Sequence, residues 1–124
     1  MSSSDQTKTQ AIQTFLASYK TKDVGTRIAL FADDISFEDP VGSPPVKGKA
    51  AMNEYFVATV ASGWDIDLVP QKIMVNGVEA ASITQVTAGV GGNPPVTSTI
   101  VQIFAFDEGG KFKSLRVFMD TPPA

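Results

Sequence analysis

Two residue types are missing altogether: the 124-residue chain has no cysteine and no histidine. Without cysteine there are no disulfides, no thiolate metal sites and no cysteine nucleophile. Without histidine the commonest general base and metal ligand is gone, and with it every Ser–His or Cys–His triad. Acid–base chemistry must therefore come from carboxylates, tyrosine or lysine. Basic charge is scarce as well. Ten Lys and Arg face 13 Asp and Glu, for a formal net charge of −3, and no basic stripe is present to hold phosphates, which argues against a nucleic-acid partner. Long hydrophobic runs are absent too. No segment approaches a membrane span, so no membrane partner is expected. The stretch Met1-Ser2-Ser3-Ser4-Asp5-Gln6-Thr7-Lys8 lacks the apolar core of a secretory signal. The expectation is a soluble, cytoplasmic protein.

What remains is an ordinary globular composition, 43% hydrophobic, at a length that buries a core without metal or disulfide support. Residues 1–124 read as one domain with no internal repeat. Ile12, Phe15, Leu16 and Tyr19 fall at i, i+3, i+4 and i+7, which predicts a helix over about 5–21. Asp23 is a candidate N-cap for a second helix over about 23–32, with Ile28, Leu30 and Phe31 as apolar cover. The alternation at Ile35 and Phe37 predicts a strand over 35–39 that Pro40 ends. Val41-Gly42-Ser43-Pro44-Pro45 is a loop by composition. A third helix over about 48–61 places Met52, Tyr55, Phe56, Thr59 and Val60 on its buried face. Strands are expected at about 64–75, 79–90, 95–106 and 111–120, separated by Asn76-Gly77, Gly91-Gly92-Asn93-Pro94-Pro95 and Asp107-Glu108-Gly109-Gly110. Helices first and a meander after is an α+β order, with the helices on one face of a curved, mainly antiparallel sheet.

Three polar residues stand where apolar ones are expected. Asp39 shares a strand face with Ile35 and Phe37, so its carboxylate points toward the interior. There it either serves as a general base with a raised pKa or merely caps the turn at Pro40. Tyr19 lies on the apolar face of the first helix. Its hydroxyl either donates to a developing oxyanion or sits at the rim of the core. Gln102 interrupts the run Ile100-Val101-Gln102-Ile103-Phe104. Its amide pairs with sheet backbone or faces a ligand. Leu115, Val117 and Met119 share one face of the last strand, as core or as pocket wall. Asp33 and Asp34 are adjacent acids without further ligands, and no metal site is expected. Gly91-Gly92 lies between strands rather than before a helix, so no phosphate cradle and no cofactor is expected.

The stretches Phe31-Ala32-Asp33-Asp34, Phe37-Glu38-Asp39-Pro40-Val41-Gly42 and Pro44-Pro45-Val46-Lys47-Gly48 closely resemble bacterial ketosteroid isomerases. Phe106-Asp107-Glu108-Gly109-Gly110-Lys111-Phe112 resembles that family's turn into the last strand. The resemblance covers nearly the whole chain. It implies the cone-shaped fold of nuclear transport factor 2-like and SnoaL-like proteins, enclosing an apolar pocket, and a homodimer formed through the sheet. In that family a carboxylate moves a proton between two carbons of a 3-oxo-Δ5 steroid while an oxyanion hole stabilises the dienolate. The resemblance implies Asp39 as base and Tyr19 as oxyanion donor. Gln102 stands where the family has a protonated aspartate, Phe31 and Phe56 where some members have supporting tyrosines, and Met119 where some have tryptophan. The expected ligand is an apolar, steroid-like small molecule held by Phe37, Phe56, Ile100, Phe104, Leu115, Val117 and Met119. Because this fold carries many activities, three other readings stay open. One is another enzyme of the same fold. Polyketide cyclases of the fold use a His–Asp pair that this chain lacks, and its epoxide hydrolases use an Asp–Arg–Asp set for which only Arg27 and Arg116 are on offer. Another is a non-catalytic binding module. The last is a sheet-mediated scaffold.

Overall fold

The computed structural model describes residues 4–120; the reading of the N-terminal segment rests in part on residues 1–3, outside that range. The chain runs α1 (Asp5–Lys20), α2 (Val24–Ala29), β1 (Phe31–Glu38), β2 (Val46–Lys47), α3 (Lys49–Ala61), β3 (Trp64–Asn76), β4 (Glu79–Val90), β5 (Val96–Phe106) and β6 (Phe112–Met119). Three helices lie against a curved, unclosed six-stranded sheet in the order β2-β1-β6-β5-β4-β3. Every pairing is antiparallel except β1 with β6. No helix among the described residues is long and apolar enough to cross a membrane.

Local chemistry accounts for the element ends. Ser4 Oγ accepts from Thr7 N–H to cap α1, and Asp23 accepts from Thr26 N–H to cap α2. The β3–β4 hairpin turns through Gly77 at φ 60°, a left-handed conformation that costs glycine nothing. In β3 a bulge between Pro70 and Lys72 inserts one residue. The inward-facing set therefore switches from Ile66 and Leu68 to Ile73 and Val75, all of which join the core.

Two expectations are corrected. The second helix stops at Ala29 rather than reaching residue 32, because Phe31 and Ala32 already belong to β1. Phe31 pairs with Phe112, and Phe112 N–H donates to Leu30 O, so the parallel ladder captures residues that local pattern assigns to a helix. On α3 only Met52 and Phe56 are buried; Tyr55 is 39% exposed. One i, i+4 pair is all that this helix turns inward. The short strand β2 is an addition; it pairs Ser36 with Lys47 and Phe37 with Val46.

The core is aromatic at one end. Phe15 meets Phe31, Phe104 and Phe112 at centroid distances of 5.7, 5.9 and 5.7 Å. Phe104 and Phe112 lie 5.0 Å apart, and Phe106 closes on Phe112 at 5.3 Å. Each such side chain contributes about 1.5–3 kcal/mol by burial. This packed end fixes where β1, β5 and β6 run, and so where their opposite ends open.

Candidate functional site

Beyond that cluster the sheet and helices diverge around a cavity of about 230 Å³. Of the residues singled out from sequence, Asp39, Tyr19, Gln102, Phe37, Ile100, Val117 and Met119 all line it. Phe56, Phe104 and Leu115 do not: each is at most 1% exposed and closed into the core. Phe104 belongs to the aromatic cluster, and Phe56 packs behind Tyr19 at 6.1 Å. Ile66, Leu68, Val86, Ser98 and Asp120 complete the lining.

Asp39 follows β1, and the chain around it is pinned on both sides. Val41 N–H donates to Val117 O at 2.8 Å, and Gly48 N–H donates to Ile35 O at 2.8 Å. The Asp39-Pro40 peptide bond is cis. Asp39 Oδ1 is the one buried side-chain polar atom without a hydrogen-bond partner among the described residues. Burial pushes this carboxyl above the usual carboxylate range. No backbone N–H of the turn reaches Oδ1.

Tyr19 reaches the cavity from the last turn of α1. Its phenol is pushed up, first by burial and then by the fields of Asp39 and Tyr55, while the Arg27 guanidinium pulls it down. Tyr55, outside the cavity lining, has its ring 5.6 Å from that of Phe37, and burial and Asp39 together raise its phenol as well.

Gln102 is 3% exposed, and its partner is not sheet backbone. Its Oε1 accepts from Thr84 Oγ1 at 2.8 Å, and the hydroxyls of Thr84 and Ser82 lie 2.7 Å apart. Since the Thr84 proton goes to Gln102, Ser82 must donate to Thr84. The chain Ser82–Thr84–Gln102 thus occupies the amide oxygen and leaves the amide N–H groups for the cavity. Both hydroxyls were overlooked in sequence. The signal was there: Ala80, Ser82, Thr84 and Val86 alternate onto the inner face of β4, with Ser82 opposite Gln102.

The two arginines fall outside the cavity lining. Arg116 lies 3.4 Å from Glu38, its side chain 45% exposed. Arg27 is 2% exposed and lies behind Tyr19. Among the described residues no group of three His, Cys, Asp or Glu is placed to hold a metal ion.

An apolar cavity with one phenol, one oriented amide and a carboxylate whose buried oxygen has no partner, with the exposed Asp120 as a second carboxylate in the lining, defines a site for small-molecule chemistry or binding, on a fold whose relatives can be named. Residues 12–115 match the SnoaL-like domain family, so the chain belongs to that family, among its ketosteroid isomerase-like members. It is 32% identical over 90 residues to the steroid Delta-isomerase of Nocardioides simplex, covering 73% of this chain and 71% of that one. Solved structures with the same fold include SalBIII, an epoxide hydrolase/cyclase-like enzyme with a role in pyran ring formation in the polyether salinomycin. It superposes with a TM-score of 0.83 at 24% identity, covering 94% of this chain and 93% of that one. An LEH-like epoxide hydrolase of M. tuberculosis gives 0.82 at 17% identity, covering 93% and 84%.

Proposed function

We propose that this protein is a ketosteroid isomerase-like enzyme acting on a 3-oxo-Δ5 steroid or a similar β,γ-unsaturated ketone. The observation that carries the proposal is the orphaned carboxylate oxygen of Asp39 in an apolar cavity. A base in such a place is desolvated and poised to take a weakly acidic carbon-bound proton.

The chemistry follows from three groups. Asp39 removes a proton from the carbon between the carbonyl and the double bond. The C–H electron pair moves into the conjugated system, and the carbonyl oxygen becomes a dienolate oxyanion. The Tyr19 hydroxyl and the Gln102 amide donate hydrogen bonds to that oxygen. The protonated Asp39 then returns the proton to the far carbon of the former double bond, giving the conjugated enone with no net change in atoms or electrons. An amide is a weaker acid than a neutral carboxylic acid, so Gln102 is a weaker donor than the residue in its place in the family, and one weakened donor costs about 10–10³-fold in rate.

Epoxide hydrolysis is less well supported. An Asp–Arg–Asp set needs an arginine in the cavity, and neither Arg27 nor Arg116 lines it. A homodimer through the outer sheet face is part of the proposal, supported by Val69, Met74 and Phe118, which are 48%, 43% and 43% exposed. Sedimentation at micromolar concentration checks it: a monomer would remove it. A cytoplasmic location is likewise proposed, to be checked by fractionation.

The function is tested by following conjugated enone absorbance with 5-androstene-3,17-dione, beside the folded Asp39→Asn variant. Turnover that disappears in the variant supports the isomerase. No turnover, from a protein that still binds a phenolic steroid saturably, moves the assignment to a binding module or to a different substrate.

A further inference from the structure

Arg27 is the most unusual buried residue in the molecule. It is 2% exposed, yet no carboxylate among the described residues pairs with it. Asp23 contributes a favourable field, but its oxygens are taken by Thr26. The guanidinium is held instead by neutral acceptors. Nε donates to Ser18 Oγ at 3.1 Å, and Nη2 donates to Ser18 O at 3.1 Å. These two bonds fix the group from the side of α1. Its Cζ then lies 3.7 Å from the centre of the Tyr19 ring and 4.4 Å from that of Phe56.

A buried cation without a counter-ion is costly unless something else requires it. Two aromatic faces offset part of the cost. Negative charge developing on or near Tyr19 would offset more of it. Tyr19 lies between Arg27 and the cavity, so charge gathering on its oxygen during catalysis is within reach of the guanidinium field. Phe31 and Phe56, with no hydroxyl, cannot pass a hydrogen bond to Tyr19 from below; a cation stacked on the ring acts without one.

We propose that Arg27 is a positioning residue for Tyr19, a fixed buried cation that makes the phenol a stronger hydrogen-bond donor to an oxyanion in the cavity. The inference rests on the isomerase reading for its role in turnover, but not for its effect on Tyr19. Arg27 does not line the cavity; it acts through the ring. The charged or titratable groups whose fields act on Tyr19 are Arg27 from α2, Asp39 after β1 and Tyr55 from α3, and the exposed Asp120 shares the cavity lining with it. Of these, only Arg27 favours the ionised phenol.

The test reads the phenol directly. Residue 19 is replaced by 3-chlorotyrosine, whose phenol ionises within an accessible range, and its absorbance is followed against pH. This is done in the otherwise native chain and in Arg27→Gln, Arg27→Met and Arg27→Lys backgrounds, each confirmed as folded by near-ultraviolet circular dichroism. Gln keeps a donor for Ser18, and Met keeps the apolar packing, so one neutral variant serves if the other fails to fold. The expected result is ionisation shifted upward by about one pH unit or more, a tenfold change, in either neutral variant, with partial recovery in Arg27→Lys. An unchanged midpoint in a folded neutral variant overturns the proposal. So does an upward shift as large in Arg27→Lys as in Arg27→Gln, because a packing role would give that result. On the isomerase reading, the neutral variants also lose about tenfold in kcat with KM little changed. A phenol shift without any turnover in the parent chain would leave the Arg27 assignment standing and remove the isomerase.

Discussion

One inner surface, formed by three neighbouring strands, is built in two ways along its length. At one end Phe31 and Ile35 of β1, Phe104 and Phe106 of β5, and Phe112 and Leu115 of β6 are each at most 1% exposed, and Phe31, Phe104 and Phe112 close on Phe15. At the other end the same strands present Phe37, then Asp39, Ile100 with Gln102, and Val117 with Met119, around an open volume. The packed end satisfies its contacts internally. The open end keeps an unpaired carboxylate oxygen and spare amide donors. Folding free energy is collected at one end and withheld at the other, which is what a site kept for a ligand requires.

On that division, substitutions at the two ends should fail in different ways. The largest effect belongs to Asp39→Asn. Turnover of the β,γ-unsaturated ketone should fall by about 10²–10⁴-fold, the usual contribution of a general base, while stability does not fall. The folded state raises the Asp39 pKa, so it holds that proton more tightly than the unfolded chain does. Stability from this group is complete below the ordinary carboxylate range and is lost as pH rises through the folded pKa. Thermal melts should therefore show the Asp39→Asn substitution raising Tm at neutral pH, with the gain vanishing in acid.

At the packed end, Phe104→Ala should do the reverse and cost about 3–5 kcal/mol in denaturant unfolding. A loss below about 1 kcal/mol would mean that the ring cluster is not the stabilising half. Gln102→Leu should lower kcat by about 10–10³-fold with little change in unfolding. Equal loss of fold and rate would make Gln102 a structural residue. Smaller still, Thr84→Val should lower kcat by about tenfold or less by freeing the amide to turn, and kcat should recover in part in Thr84→Ser.

Periodicity could reach some of this and not the rest. Alternation at Ile35, Phe37 and Asp39 was enough to send a carboxylate inward, and the i, i+3, i+4, i+7 face of α1 delivered Tyr19. It could not separate Phe37 from Phe104, because a cavity wall and a closed core carry the same apolar pattern. Tertiary pairing decided that, as it decided that Phe31 begins a strand. Arg27 was hidden for another reason. On a short helix an arginine defaults to solvent, and only the packing of Ser18, Tyr19 and Phe56 around it shows that it is enclosed. Periodicity and turn signals carry the order of the elements and the α+β class; the resemblance to ketosteroid isomerases adds the cone-shaped fold around a pocket and the roles of Asp39 and Tyr19.

The most direct test of Asp39 as the base is the pH dependence of kcat/KM with 5-androstene-3,17-dione, for the native chain and Asp39→Asn. The account predicts an acidic limb whose midpoint lies above the ordinary carboxylate range, set by the burial of Asp39, and its loss together with turnover in the variant. A profile unchanged by Asp39→Asn would contradict it.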